Sequence, residues 1–235
     1  MTHKFDVLGI GNAIVDILVH VDDDFLTTHQ IPKSSMQLVD EATSERLYNH
    51  LGQAIECSGG SAANSIAGLA SMGSRAAFIG KIKDDQLGHV FDHDIRTLGI
   101  EFSTPKDESG VSTARCLVMV TPDAERTMCT YLGACVNLTE KDIDPALVSS
   151  AAVTYMEGYL LDPEQAQQAF RKAMTLAHAA GRKTSISLSD SFCVARHRAE
   201  FLHLAEHEID ILFANEEELL MLYGADNLSE AIQAV

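Results

Sequence analysis

The residues best suited to chemistry in this 235-residue sequence lie in the stretch from Ser58 to Gly73. Gly59 and Gly60 give the backbone a freedom in φ and ψ that other residues lack, and Ser61 can cap the helix that the following small residues predict. The first turn of that helix leaves N–H groups without helical partners, and the side chain of Asn64 offers a donor and an acceptor. The stretch therefore predicts a hinge beside a site for a polyhydroxylated ligand.

A second candidate is the carboxylate of Asp16, which follows Gly11 and Asn12 in an otherwise apolar strand pattern. Burying a carboxylate without a partner is costly, so Asp16 requires one. Two interpretations fit: a cap or ion pair within the protein, and a bidentate acceptor for the hydroxyl groups of a ligand. The residues alone leave both open.

A third candidate is the pair Asn215 and Glu218, which follows a predicted strand and opens a predicted helix. Side chains three residues apart share one side of a first helical turn, so the pair can hold waters around a divalent cation or orient a phosphate. The alternative is an acidic first turn that the helix dipole stabilises. Both remain open at this point.

Three further patterns are weaker. A Gly-Ile-Gly run at 9–11 begins like a dinucleotide-binding fingerprint, but Ile14 stands where the third glycine belongs. The consecutive carboxylates of Asp22–Asp24 cannot converge on a metal, so they predict a solvated turn. His89 and His93 have helical spacing for a metal but no third ligand nearby in the sequence, which favours surface histidines.

The elements that position the candidates begin with an apolar run over Phe5–Ile10, typical of a strand buried on both faces. Strand patterns follow at 15–21 and 35–39, and Asp40 can cap a helix with apolar residues at four-residue spacing from 47 to 55. Two β-rich runs, at 113–120 and 126–131, are joined by a turn and predict a hairpin. Together these strands predict a four-stranded flap outside the main sheet.

From residue 153 onward, strands and helices alternate. This alternation predicts a parallel sheet covered by helices on both faces, with ligands at the carboxyl ends of the strands. The predicted strands are 153–156, 184–188 and 210–214, and the predicted helices are 162–181, 199–205 and 216–223.

Composition excludes several classes of partner. A formal net charge of −17 repels nucleic-acid backbones and acidic membrane surfaces. There is neither a signal-peptide pattern at the N-terminus nor an apolar run of membrane-spanning length. Five widely spaced cysteines without a C-x-x-C pair are typical of reduced thiols. We therefore expect a cytoplasmic protein with no nucleic-acid or membrane partner.

The glycine stretch with Asn64, followed by Phe78-Ile-Gly80 and the turn from Asp84 to Gly88, resembles the N-terminal signature of the ribokinase-like (PfkB) family of carbohydrate and nucleoside kinases. The Gly-Gly-Ser-Ala-Ala-Asn-Ser form of the stretch and the segment Asp210–Glu216 are similar to the adenosine-kinase branch. The resemblance covers essentially the whole chain. It implies a three-layer αβα core with a mainly parallel sheet and a small β-sheet lid.

The resemblance assigns roles to the candidates. It implies that substrate hydroxyls contact six residues, and that Asn215 and Glu218 position Mg²⁺ and the phosphate of ATP. It also implies a core of residues 1–17, 40–107 and 132–235 and a lid of residues 18–39 and 108–131. The implied substrate-binding residues are Asn12, Asp16, Gly59, Gly60, Ser61 and Asn64.

The family's general base lies in a Gly-Ala-Gly-Asp motif that this sequence lacks, so we expect that base beyond Val235 and an inactive 235-residue chain. Three hypotheses follow. The first is phosphorylation of the 5′-hydroxyl of adenosine by ATP, the second is phosphorylation of ribose, fructose or a related sugar, and the third is a non-catalytic remnant that binds such a ligand. A monomer or a homodimer is expected.

Overall fold

A computed structural model of the protein describes residues 3–108 and 110–234. The strands are β1 (Phe5–Ile10), β2 (Ile14–His20), β3 (Met36–Leu38), β4 (Ile55–Gly59), β5 (Ala76–Ile79), β6 (Glu101–Phe102), β7 (Ala114–Val120), β8 (Arg126–Tyr131), β9 (Ala151–Glu157), β10 (Lys183–Ser187) and β11 (Ile211–Phe213). The α-helices are α1 (Asp23–Thr28), α2 (Glu41–Tyr48), α3 (Ser61–Ser71), α4 (Gln86–Thr97), α5 (Pro145–Ser150), α6 (Glu164–Ala179), α7 (Ser191–His207), α8 (Glu216–Tyr223) and α9 (Leu228–Ala234).

The main sheet has six parallel strands in the order β11-β10-β9-β1-β5-β6. Its central strands are apolar because both faces are covered. Leu8 and Ile10 pack with Phe170 of α6 on one side, whereas Val7 and Phe78 pack with Ile66 of α3 on the other. The prediction of an α/β fold with a mainly parallel sheet covered on both faces is confirmed.

The second sheet has five strands in the order β3-β8-β7-β2-β4. The predicted hairpin is confirmed, since β7 and β8 pair antiparallel. The prediction of four strands is wrong because it missed β4, which pairs antiparallel with β2. This strand also lies outside the range 18–39 and 108–131 that the sequence assigned to the lid.

The missed strand follows from a helix that was predicted too long. Asp40 caps α2 as predicted, because its Oδ1 accepts the backbone N–H of Thr43 at 2.7 Å. The helix nevertheless ends at Tyr48, before Gly52, and Ile55 begins a strand instead of continuing the helix. The four-residue spacing of apolar residues thus continues past the end of α2 to Ile55, which belongs to a strand of the second sheet.

The segment at Asp22–Asp24 is a helix start, so the prediction of a turn there is wrong. The Asp22 side chain accepts the backbone N–H of Phe25 at 2.8 Å and caps α1. Asp23 and Asp24 fall in the first turn, where the helix dipole favours negative charge.

α3 and α4 connect the two sheets. Both contribute to one apolar cluster that includes residues of the main sheet and of the second sheet, such as Phe78 and Ile17. The two sheets are therefore joined by a shared apolar core.

Within residues 3–108 and 110–234, no helix combines the length and apolarity needed to cross a bilayer.

Candidate active site

The candidate residues lie where the two sheets meet, at the carboxyl edge of the main sheet. Asn12 follows β1, Glu157 ends β9, and Asn215 follows β11. In register, Glu157 pairs with Ser187, and Ser187 pairs with Phe213. With strands about 4.8 Å apart, these three ends span roughly 10 Å. Asn12 and Asn215, two of the predicted binding residues, therefore lie at the same edge of the main sheet.

Asp16 lies in the middle of the second sheet. Its register partners are Cys57 on β4 and Cys116 on β7, so neighbouring strands flank it on both sides. Burial raises the pKa of Asp16 to about 6, and a hydrogen bond from the side chain of Asn64 opposes that rise. Asp16 and Asn64 were separate candidates in the sequence, and in the structure their side chains are hydrogen-bonded to each other.

The paired glycines allow a close approach that no other residue permits. A Cβ at Gly59 would lie 2.2 Å from Cγ of Asp16, and a Cβ at Gly60 would lie 2.3 Å from the carbonyl oxygen of Asn12. Gly60 also has φ of 99°, in the region that favours glycine. Packing on Asp16 thus requires a glycine at position 59, and packing on Asn12 requires one at position 60. Movement about the two glycines as a hinge stays a prediction.

Ser61 does not cap the helix, contrary to the prediction. It is the first residue of α3, and the cap position is occupied by Gly60, which has no side chain to accept a hydrogen bond. The hydroxyl of Ser61 instead forms a hydrogen bond with Glu157. Asn64 lies in the first turn of α3, where its N–H donates to the Gly60 carbonyl at 2.8 Å.

Glu157 is a site residue that sequence reasoning missed. It is fully buried, and its two carboxylate oxygens accept the backbone N–H groups of Asn12 at 2.7 Å and Ala62 at 2.9 Å. One carboxylate therefore joins the turn after β1 to the first turn of α3. A signal existed in the sequence, because a carboxylate at the end of an apolar strand needs a partner, which is the argument applied to Asp16.

Burial raises the pKa of Glu157, and the hydrogen bonds that it accepts oppose the rise. These bonds come from two backbone N–H groups and from the side chains of Asn12 and Ser61. Such hydrogen bonding is what makes a buried carboxylate tolerable. Asn12 is itself buried. Glu157 therefore holds the turn at Asn12 in place within the folded chain, without needing a bound ligand.

Asn215 and Glu218 form a reciprocal capping box at the start of α8. Oδ1 of Asn215 accepts the Glu218 N–H at 2.8 Å, and Oε2 of Glu218 accepts the Asn215 N–H at 3.0 Å. Nδ2 of Asn215 also donates to Oε1 of Glu218 at 2.9 Å. The predicted helix start is therefore observed, and the hydrogen bonds between its two side chains, which the sequence did not predict, satisfy the pair internally.

The capping box still fits a role beside Mg²⁺. Each carboxylate oxygen of Glu218 has a second lone pair, and a carboxylate with an amide oxygen suits the waters around a hard cation. When bound, Mg²⁺ would neutralise charge on the transferred phosphoryl group. In the part of the chain that the structure describes, no group of three or more His, Cys, Asp or Glu side chains is arranged to hold a metal directly.

His89, one of the two histidines at helical spacing, contacts Asp84, with Nε2 and Oδ1 separated by 2.8 Å.

Sequence comparison decides the family. The profile of the pfkB family carbohydrate kinases matches residues 36–235. The chain belongs to this family. Its members are phosphotransferases, and the ribokinase-like fold predicted from the sequence is confirmed.

Relatives of this PfkB chain include nucleoside kinases and sugar kinases. The crystal structure of an adenosine kinase from Sinorhizobium meliloti is 50% identical, with a TM-score of 0.90 over 97% of this chain and 70% of that chain. A probable sugar kinase protein from Rhizobium etli CFN 42 is 47% identical, with a TM-score of 0.91 over 99% of this chain and 71% of that chain. Fructokinase-1 from Oryza sativa subsp. japonica is 28% identical over 76% of this chain and 57% of that protein. The chain thus spans little more than half the length of this curated relative.

Proposed function

We propose that the protein transfers the γ-phosphoryl group of Mg·ATP to the 5′-hydroxyl of adenosine. The observation that carries the proposal is an apolar pocket about one nucleoside length from Asp16 on the same face of the second sheet. The 50% identity to the adenosine kinase from Sinorhizobium meliloti supports it.

In this proposal the ribose end of the substrate binds at Asp16. A carboxylate accepts hydrogen bonds from two neighbouring hydroxyl groups, as the ribose ring presents them. With a pKa of about 6, Asp16 is mostly ionised at neutral pH. Asn64 orients this carboxylate, and Gly59 packs against it without a side chain that would exclude the sugar.

The base end of the substrate binds farther along the sheet. Asp16, Cys116 and Thr130 are register partners on three successive strands, so their backbones span roughly 10 Å. Thr130 borders a cavity of about 240 Å³. The cavity is lined by Leu38, Val39, Val111, Thr130, Tyr131, Leu132, Gly133 and Val136. Mostly apolar walls suit the faces of a purine and leave the hydroxyl groups of a second sugar unit without partners.

A hexose such as fructose is the second candidate substrate, and the similarity to Fructokinase-1 favours it. Its hydroxyl groups can bind Asp16 and Asn64 as those of ribose do. A hexose bound there would leave the apolar cavity empty. The two candidates therefore differ in one testable respect, which is whether the cavity contributes to the specificity constant.

The test compares variants of the full-length protein at two positions on β3. Leu38 lines the cavity, and Met36 faces the same side of the strand but does not line it. Leu38→Asp should lower kcat/KM for adenosine by about tenfold or more, since it places on the exposed apolar wall a carboxylate that a bound base would desolvate. Met36→Asp is the matched control and should change it by less than about twofold. A wild-type protein that prefers fructose, with equal kinetics in both variants, would refute the proposal.

A further inference from the structure

The side chain of Asp94 on α4 contacts the end of β4. β4 is an edge strand of the second sheet, and edge strands leave alternate N–H groups without a strand partner. The N–H of Ser58 donates to Oδ2 of Asp94 on α4 at 2.9 Å. Among the described residues Asp94 has no salt-bridge partner, so removing its carboxylate removes this hydrogen bond and no ion pair.

The helix that carries Asp94 is firmly seated. Phe91 of α4 lies 5.9 Å from Phe78 and 5.5 Å from Phe102, measured between ring centroids in the main-sheet core. All three rings are fully buried. Dense packing of this kind resists displacement, so Asp94 projects from a fixed support.

α4 also holds the strand on the other side of Asp16. Asp85, the cap of α4, accepts the N–H of Thr113 at 2.8 Å and its hydroxyl at 2.6 Å, directly before β7. β7 and β4 are the two neighbours of β2. The strand that carries Asp16 is therefore held between two strands that are each bonded to one core helix.

The bond at Ser58 acts on Asp16 through one intervening residue. Ser58 precedes Gly59, whose α-carbon packs so closely on Asp16 that a Cβ would lie 2.2 Å from its Cγ. A shift of the β4 backbone at Ser58 therefore changes the wall against which the carboxylate rests. We propose that Asp94 is a positioning residue of the acceptor site, which holds β4 so that Gly59 supports Asp16 in its hydroxyl-binding position.

This proposal rests on the proposed role of Asp16 and predicts a specific kinetic pattern. Without the Asp94 bond, the end of β4 spends part of its time displaced, and only the ordered fraction binds acceptor. Apparent affinity falls in proportion to that fraction, whereas turnover of the bound substrate is unchanged. In the full-length protein, Asp94→Ala should raise KM for the acceptor about threefold to tenfold. Its kcat and its KM for ATP should stay within about twofold of wild type.

Two further variants separate this role from general destabilisation. Asp94→Asn retains an oxygen that can accept the Ser58 N–H, so it should restore the acceptor KM to within about twofold of wild type. Asp92→Ala is the matched control, since Asp92 lies on the same helix and pairs with Arg96 at 2.7 Å rather than with β4. Hydrogen exchange of the Ser58 amide should accelerate in Asp94→Ala and stay slow in both other variants. Asp94→Ser, whose shorter side chain falls short of Ser58, repeats the test if Asp94→Ala does not fold.

The outcomes distinguish this inference from the proposed function. An unchanged acceptor KM in Asp94→Ala, or an Asp94→Asn variant as impaired as Asp94→Ala, overturns the positioning role. Kinetics are measured with adenosine and with fructose, and the role is judged on whichever acceptor the wild-type protein phosphorylates. If only fructose is phosphorylated, adenosine is refuted as the substrate. The role of Asp94 is then judged by KM for fructose in the Asp94 variants. If neither acceptor turns over, the proposed function fails, and an unaccelerated Ser58 amide then overturns the role of Asp94 as well.

Discussion

Replacing Asp16 by asparagine should make the protein more stable and a poorer binder of its acceptor. The substitution keeps the shape of the side chain and removes its charge. The Asn64 side chain can still donate to the remaining amide oxygen, so the hydrogen bond at this position is retained. What changes is the cost of holding an ionised carboxylate in a largely buried position.

The magnitude follows from the pKa of Asp16. Burial raises it from an ordinary 3.8 to about 6, and a difference of roughly two pKa units corresponds to ~3 kcal/mol. Partial exposure to solvent reduces the effect, so we expect Asp16→Asn to raise the free energy of unfolding by about 1 to 3 kcal/mol above pH 7. The carboxyl of Asp16 binds its proton more tightly in the native state than in the unfolded state. The free energy of unfolding of the wild-type protein therefore falls as pH rises from about 4 to 6. The advantage of the variant should therefore vanish below about pH 4.

The assay is urea unfolding of both proteins between pH 4 and pH 8, together with KM for the acceptor at pH 7.5. Asp6→Asn is the control of opposite sign, since Arg75 beside Asp6 holds the pKa of that carboxyl well below its usual range. That variant should be less stable than wild type at neutral pH. An Asp16→Asn protein that is less stable than wild type, or whose stability difference does not depend on pH, would refute the reasoning. So would an unchanged acceptor KM.

Three further substitutions test other contacts of the site. Glu157→Ala leaves two buried N–H groups unpaired and should lower the free energy of unfolding by about 2 to 5 kcal/mol in urea titrations, and a loss below about 1 kcal/mol would contradict the tie it forms. Gly59→Ala puts a Cβ into the position of the Asp16 carboxylate and should raise the acceptor KM by about tenfold or more in steady-state kinetics, with KM for ATP unchanged; equal effects on both substrates would count against it. Asn215→Ala removes the cap of α8 and should lower the free energy of unfolding by about 1 kcal/mol. If Asn215 and Glu218 also serve the cation, KM for Mg·ATP should rise as well. A loss of stability with an unchanged KM for Mg·ATP would limit the pair to capping.

The parts of the site that the sequence could predict are those encoded locally. The glycine pair and Asn64 lie within six residues, and Asp16 stands out as a carboxylate in an apolar strand. Asn215 and Glu218 lie in one helical turn, so their spacing already predicted that both stand at a helix start, although the capping box between them was not predicted. In each case the informative residues are close in the chain.

The parts that could not be predicted depend on contacts between distant segments. Glu157 is separated in sequence from Asn12 by 145 positions and from Ala62 by 95, so no local pattern signals that it joins them. β4 was missed because its first residue continued the apolar spacing of the preceding helix. Ser61 was assigned a cap because capping preferences are local, whereas its hydroxyl contacts Glu157, which only the folded chain brings near.

The central claim is that the acceptor is a nucleoside. The most direct test is to incubate full-length protein and Mg·ATP with equal concentrations of adenosine and D-fructose, and to identify the phosphorylated product by mass spectrometry and ³¹P NMR. The account predicts adenosine 5′-monophosphate as the main product. A product that is chiefly fructose phosphate would contradict it.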